Sequence, residues 1–119
     1  NFNKKYFERV IHHEVFHMIH NSFENIFNEE IWSNFNDKAF EYAECSTCSD
    51  RLGLELYDKT NGFLTEYSKS IASEDMAEVF SFIMTDKLKI KNIVNKDSIL
   101  SNKIEFIKNG IIKIENFNL

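Results

Sequence analysis

Apolar residues recur at spacings of three and four along most of this chain, and that rhythm limits its fold more than any other property of the sequence. Phe7, Ile11, Val15 and Met18 form one such stripe and predict a helix over residues 3–20, the stripe being the face a helix normally turns to a core. A looser pattern running from Phe23 through Phe27, Ile31 and Phe35 to Ala43 predicts helix over 23–44, broken near "NFND". "SEDMAEVFSFIMTDKL" predicts another helix, with Ser73 as N-cap, Glu74 and Asp75 beside the positive end of the helix dipole, and Met76, Val79, Phe80 and Ile83 as its apolar stripe. A last helix is expected from Asp97 to about Asn109, burying Ile99, Leu100, Ile104 and Ile107 and stopped by Gly110. "IIKIENF" after it alternates weakly, as a short edge strand would, and "LELY" fits either one helical turn or a short strand. The expected fold class is mainly α, with at most a small β element.

With no proline and three glycines in 119 residues, the breaks between these elements must come from Asn, Asp and Ser. The chain is long enough for one domain with a single core, and 43% hydrophobic residues can supply it. A net charge of −5, with no basic cluster longer than "KLKIK", argues against nucleic acid as a partner. No window offers the roughly 18 to 20 apolar residues of a membrane span, and "NFNKKYFERV" lacks a signal-peptide core. Cys45 and Cys48 form one CxxC; no second ligand pair follows for a structural zinc, and a loop pair open to oxidation is the simpler reading.

All four histidines fall within "HHEVFHMIH", which contains HExxH as His13, Glu14 and His17. Four residues of α-helix advance about 400°, so His13 and His17 share a face one turn apart and can reach one cation. Glu14 lies about 100° around from His13, beside that cation, where a general base can act on a metal-activated water. Chance alone supplies such a string about 0.014 times in a chain of this composition.

Catalytic zinc wants a third protein ligand and an open position. The HExxHxxGxxH continuation is absent, because the corresponding positions are His20 and Phe23. His20 faces the same way as His13 but about 10 Å along the axis, which makes it a pocket wall and not a ligand. A glutamate from a second helix is the other common solution, and "SEDMAE" offers Glu74 and Glu78 four apart. One of them can bind metal while the other orients a ligand; Glu78 is the expected acceptor for the far ring nitrogen of His13.

"HEVFHMIH" together with "GFLTEYSKSIASEDMAEVFSFI" resembles the glutamate-zincin peptidases related to the catalytic domain of anthrax lethal factor, and the zinc-binding metallopeptidases of bacterial surface proteins. Tyr67, Glu74, Ala77 and Glu78 match that family's second block position by position. The resemblance implies one zincin-like metallopeptidase domain over 1–119, either whole or the C-terminal part of a larger catalytic domain, with Zn2+ as cofactor. It further implies Glu74 as third ligand beside His13 and His17, Glu78 behind His13, and Tyr67 as donor to the oxyanion. A peptide or protein substrate and an extracellular or cell-surface location follow from it as well. Phe16 departs from the family's usual small residue, and few residues precede the zinc helix where the family has a substrate-binding sheet. A zincin-like recognition module without peptidase activity is therefore the alternative expectation, and a metal-free helical scaffold the third.

Overall fold

The computed structural model describes residues 3–43 and 61–117, and the fold below is that of these residues. They are mainly helical, with no strand among them. Helix α1 spans Lys4–Ser22, α2 Glu29–Ser33, α3 Ala72–Thr85, α4 Lys87–Ile93 and α5 Ser98–Phe117, with a 3-10 turn at Tyr67–Lys69 ahead of α3. "LELY", Cys45 and Cys48 lie outside the described residues.

Helix α3 is the hub: α1, α2, α4 and α5 all pack on it, α1 most extensively. Its sequence explains why, since every residue from Asp75 to Phe82 is buried. Only a helix surrounded by others buries so continuous a run. The expected stripe of Met76, Val79 and Phe80 lies in the core, and Ile83 packs against its edge. The cap differs from expectation. The helix begins one residue before Ser73, with Ile71 as an extended N-cap that makes no side-chain hydrogen bond.

Helix α1 forms where the periodicity places it, but with the opposite face inward. Asn3 caps it, its Oδ1 accepting from the Tyr6 N–H at 3.0 Å. Phe7, Ile11, Val15 and Met18 stand at the surface, 40–70% exposed, while His13, Phe16 and His20 are buried. Two stripes of correct spacing exist on this helix, one apolar at 7, 11, 15 and 18, and one mixed at 13, 16, 17 and 20. The mixed stripe goes inward because α3 meets it with partners for both kinds of residue. Phe16 packs between Phe27 and Phe80, both ring centroids 5.1 Å away, and carboxylates of α3 receive the histidines. Phe16, the family departure, is thus a core residue at 0% exposure.

Of the helix expected over 23–44, the described residues 23–43 keep only the five residues of α2. Asn28 opens it by accepting from the Ile31 N–H at 2.9 Å, and Asp37 Oδ1 takes the Ala39 N–H at 3.1 Å in the turn that follows. Such side chains offer the backbone local partners outside a helix, and here they outcompete the apolar spacing. Asp86 likewise ends α3 and starts α4, accepting from the Lys89 N–H at 3.2 Å.

Helix α5 overturns two expectations at once. It runs through Gly110 to Phe117, so the glycine is no stop and "IIKIENF" is helical, not a strand. Gly110 is there for space: a Cβ at this position would lie 2.3 Å from Cε1 of the buried Phe27 ring. Asp97 begins the helix by accepting from the Leu100 N–H, and its other oxygen takes the Gly62 N–H at 2.7 Å. Gly62 adopts φ +96°, a left-handed conformation that favours glycine, and so turns the chain into the segment that enters the site.

A polar cluster sits in the core away from the histidines. Asp75 and Lys103, both fully buried, pair at 2.8 Å, and Asp75 Oδ2 also accepts from Trp32 Nε1 and the Tyr42 hydroxyl. Lys103 gives a further hydrogen bond to the Gly62 carbonyl and lies 4.0 Å from the Phe63 ring centroid. This cluster ties the first turn of α3, the turn that carries Glu74, to α2, α5 and the loop at Gly62.

Candidate metal centre

The α1–α3 seam brings together what the sequence separates by some sixty positions. His13 and His17, one turn apart, present Nε2 atoms 3.1 Å from each other. Glu74, in the first turn of α3, places Oε1 3.0 Å from His13 Nε2 and 2.5 Å from His17 Nε2. The three atoms form a small triangle at the rim of the seam, with His17 the most exposed of the three side chains at 28%.

Behind the triangle, Glu78 is almost wholly buried, and its Oε2 lies 2.7 Å from His13 Nδ1. A carboxylate can only accept, so Nδ1 carries a proton, and Nε2 is the ring atom that faces Glu74 and His17. Three electron-rich atoms facing one another at this separation repel unless a cation or a proton lies among them. Two imidazole nitrogens and a carboxylate oxygen are a donor set that suits zinc. Ligands held about 2.0–2.2 Å from one zinc stand about 3.3 Å apart in a tetrahedron, so each side of the triangle has to open by less than about 1 Å. The residues therefore fit the ion.

The electrostatics agree. Burial pulls the His13 imidazole down, but hydrogen bonds to Glu74 and Glu78 and their negative charge outweigh it and raise the group to about 9. For Glu74 burial pushes upward, and hydrogen bonds from His13, His17 and Tyr67 override it, holding the carboxyl well below its ordinary range. Each partner stabilises the charged form of the other, the same preference that would favour a cation beside Glu74.

Glu14 stands exposed beside the two histidines; one ligand-capable atom on each of His13, Glu14 and His17 lies within 4.8 Å of the others. Glu74 Oε1, 3.0 and 2.5 Å from the two Nε2 atoms, forms the third corner of the triangle, and Glu14 flanks it. Tyr67, in the 3-10 turn, donates its hydroxyl to Glu74 Oε2. His20 is buried farther along α1, its ring 5.8 Å from Phe16 and 6.4 Å from Phe27, with Nε2 3.7 Å from Glu29 Oε2.

Two residues at this site escape a reading of the sequence. Thr65 and Ser68 are buried behind Glu78, with Thr65 Oγ1 2.7 Å from Glu78 Oε1 and 2.9 Å from Ser68 Oγ. Their only trace is a hydroxyl pair three apart around Tyr67 in "TEYS", a pattern common in ordinary turns.

A helical domain whose two central helices converge two histidines and a glutamate on one point is a candidate metal-binding domain. A family model described as "Putative zinc-binding metallo-peptidase" matches residues 1–115, and the chain belongs to that family. No curated protein and no solved structure matches it.

Proposed function

We propose that this chain is a zinc-dependent peptidase of the glutamate-zincin type, with His13, His17 and Glu74 as metal ligands and Glu14 as general base. The observation that carries the reading is the triangle of His13 Nε2, His17 Nε2 and Glu74 Oε1, with sides of 2.5–3.1 Å. Zinc held there would supply Lewis acidity, polarising a substrate carbonyl and allowing a water to lose a proton near neutral pH.

The residues of the chain then divide the remaining work. Glu14 takes the proton from the attacking water and returns it to the amine as the C–N bond breaks. Its exposure leaves it accessible to both. Glu78 keeps the proton on His13 Nδ1, so Nε2 stays directed at the ligand position. The Tyr67 hydroxyl, which donates to Oε2 of Glu74, would turn to the substrate's carbonyl oxygen as negative charge develops on it. The substrate class is a peptide or protein, as membership of a peptidase family supports.

Glu14→Gln tests the assignment. The variant should bind zinc as the parent does while cleavage of a peptide library falls by about 10²–10⁴. Cleavage at the parent's rate removes Glu14 from its role, and a parent that binds zinc yet cleaves nothing makes the domain a recognition module.

A further inference from the structure

We propose that Thr65 is a positioning residue of this site, acting through Glu78 on His13 and through Ser68 on the turn that carries Tyr67; this rests on the metal-site reading above. Thr65 is fully buried, in the segment that leads from Gly62 into the 3-10 turn. Its Oγ1 lies 2.7 Å from Glu78 Oε1, 2.9 Å from Ser68 Oγ and 3.1 Å from the Ser68 backbone nitrogen.

A hydroxyl has one proton to give and two lone pairs to receive. Because the carboxylate only accepts, the Thr65 proton goes to Glu78, and both lone pairs receive from Ser68, one from its N–H and one from its O–H. The order of donation is thereby fixed: Ser68 to Thr65, Thr65 to Glu78, and His13 to the other oxygen of Glu78. Each oxygen of the Glu78 carboxylate thus has its own donor, Thr65 on Oε1 and His13 on Oε2. That arrangement stops the carboxylate from rotating away from His13, whose Nε2 is then aimed at Glu74 and His17.

The same hydroxyl shapes the other side of the site. The Ser68 N–H that reaches Thr65 Oγ1 at 3.1 Å also bonds the Thr65 carbonyl at 3.2 Å, so the hydroxyl braces a turn that the backbone closes under Tyr67, and the Ser70 hydroxyl donates to the Tyr67 carbonyl at 2.7 Å. One side chain therefore holds Glu78 behind His13 and braces the turn of Tyr67, from outside the ligand set.

The test is a titration of the full chain with Zn2+ against a chromophoric chelator. Thr65→Val keeps the branched shape and removes the hydroxyl; it should weaken zinc by about tenfold or more. Thr65→Ser, which retains the hydroxyl, should restore the affinity. In a Glu78→Gln background the Val substitution should add little, because its effect passes through Glu78. A purely structural Thr65 would lower the melting temperature and leave zinc affinity unchanged, or give losses that add to those of Glu78→Gln; either result overturns the proposal. Where Thr65→Val does not fold, Ser68→Ala replaces it, with weaker zinc binding expected and parent affinity overturning the proposal. A parent that takes up no zinc overturns this inference and the metal reading together, whereas a zinc-binding parent with an unaffected Thr65→Val overturns only the role of Thr65.

Discussion

Lys103→Met asks how the first turn of α3 is held, and the structure supplies the size of the answer. The ammonium bonds Asp75 Oδ2 at 2.8 Å and the Gly62 carbonyl at 2.7 Å, in surroundings with no solvent access at either charged side chain. Burial lowers the lysine and raises the aspartate from their ordinary ranges, and the attraction within the pair opposes both shifts. Methionine keeps most of the apolar stem but leaves Asp75 as a buried charge without its cation and the Gly62 carbonyl without this donor. Removing one partner of such a pair costs about 3–5 kcal/mol, and Trp32 and Tyr42, which still donate to Asp75, keep the cost from rising beyond that. At about 4 °C per kcal/mol for a domain of this size, the melting temperature should fall by about 12–20 °C. Adding Asp75→Asn to Lys103→Met should recover part of the loss, because the orphaned charge is then gone. Thermal unfolding followed by circular dichroism measures both. A single variant that melts within about 4 °C of the parent would refute the reasoning, as would a double variant less stable than the single one.

Gly110→Ala gains about 1 kcal/mol of helix propensity but drives a methyl group into the buried Phe27 ring, so unfolding titrations should show a net loss of about 1–2 kcal/mol. Val15→Ser and Met18→Ser should each cost less than about 0.5 kcal/mol, whereas Phe16→Ala should cost about 3–5 kcal/mol, which tests directly which face of α1 is inward. With His13 raised to about 9, zinc must displace its proton at neutral pH, so zinc affinity should climb by up to about tenfold per pH unit between pH 7 and 9 and level off above; a flat profile contradicts the assignment. The sign for stability of the zinc-free chain is opposite: a raised histidine contributes fully below its unfolded value of 6.5 and loses that contribution as pH rises through about 9, which thermal melts across that range measure.

The helices and the candidate ligand positions were legible for different reasons. Period-3.6 spacing placed α1, α3 and the start of α5, and on α3 and α5 the stripe that gave the spacing is the one that enters the core, whereas on α1 it stands at the surface. HExxH and the Glu74–Glu78 pair pointed to the α1–α3 seam where His13, His17 and Glu74 meet, because side chains that a helix brings to one face leave a spacing that survives in sequence. The inward face of α1 was hidden, since both of its stripes have helical spacing and only its partners, the α3 carboxylates and the Phe27 and Phe80 rings, decide between them. Gly110 misled because a glycine that makes room for Phe27 reads like one that ends a helix. The Asn and Asp turns that cut 23–44 down to α2 were visible as residues, but apolar spacing across them suggested continuity. Thr65, Ser68 and the Asp75–Lys103 pair left no readable pattern, because each works through contacts between distant segments.

The central claim is that His13, His17 and Glu74 hold one zinc ion, and the most direct test is the zinc content of the full chain and of Glu74→Ala after equilibration at neutral pH and removal of free metal. The account predicts about one zinc per parent chain, and loss of that zinc from a Glu74→Ala variant that keeps its helical content. A parent without zinc, or a Glu74→Ala variant that retains it as firmly as the parent, would contradict the account.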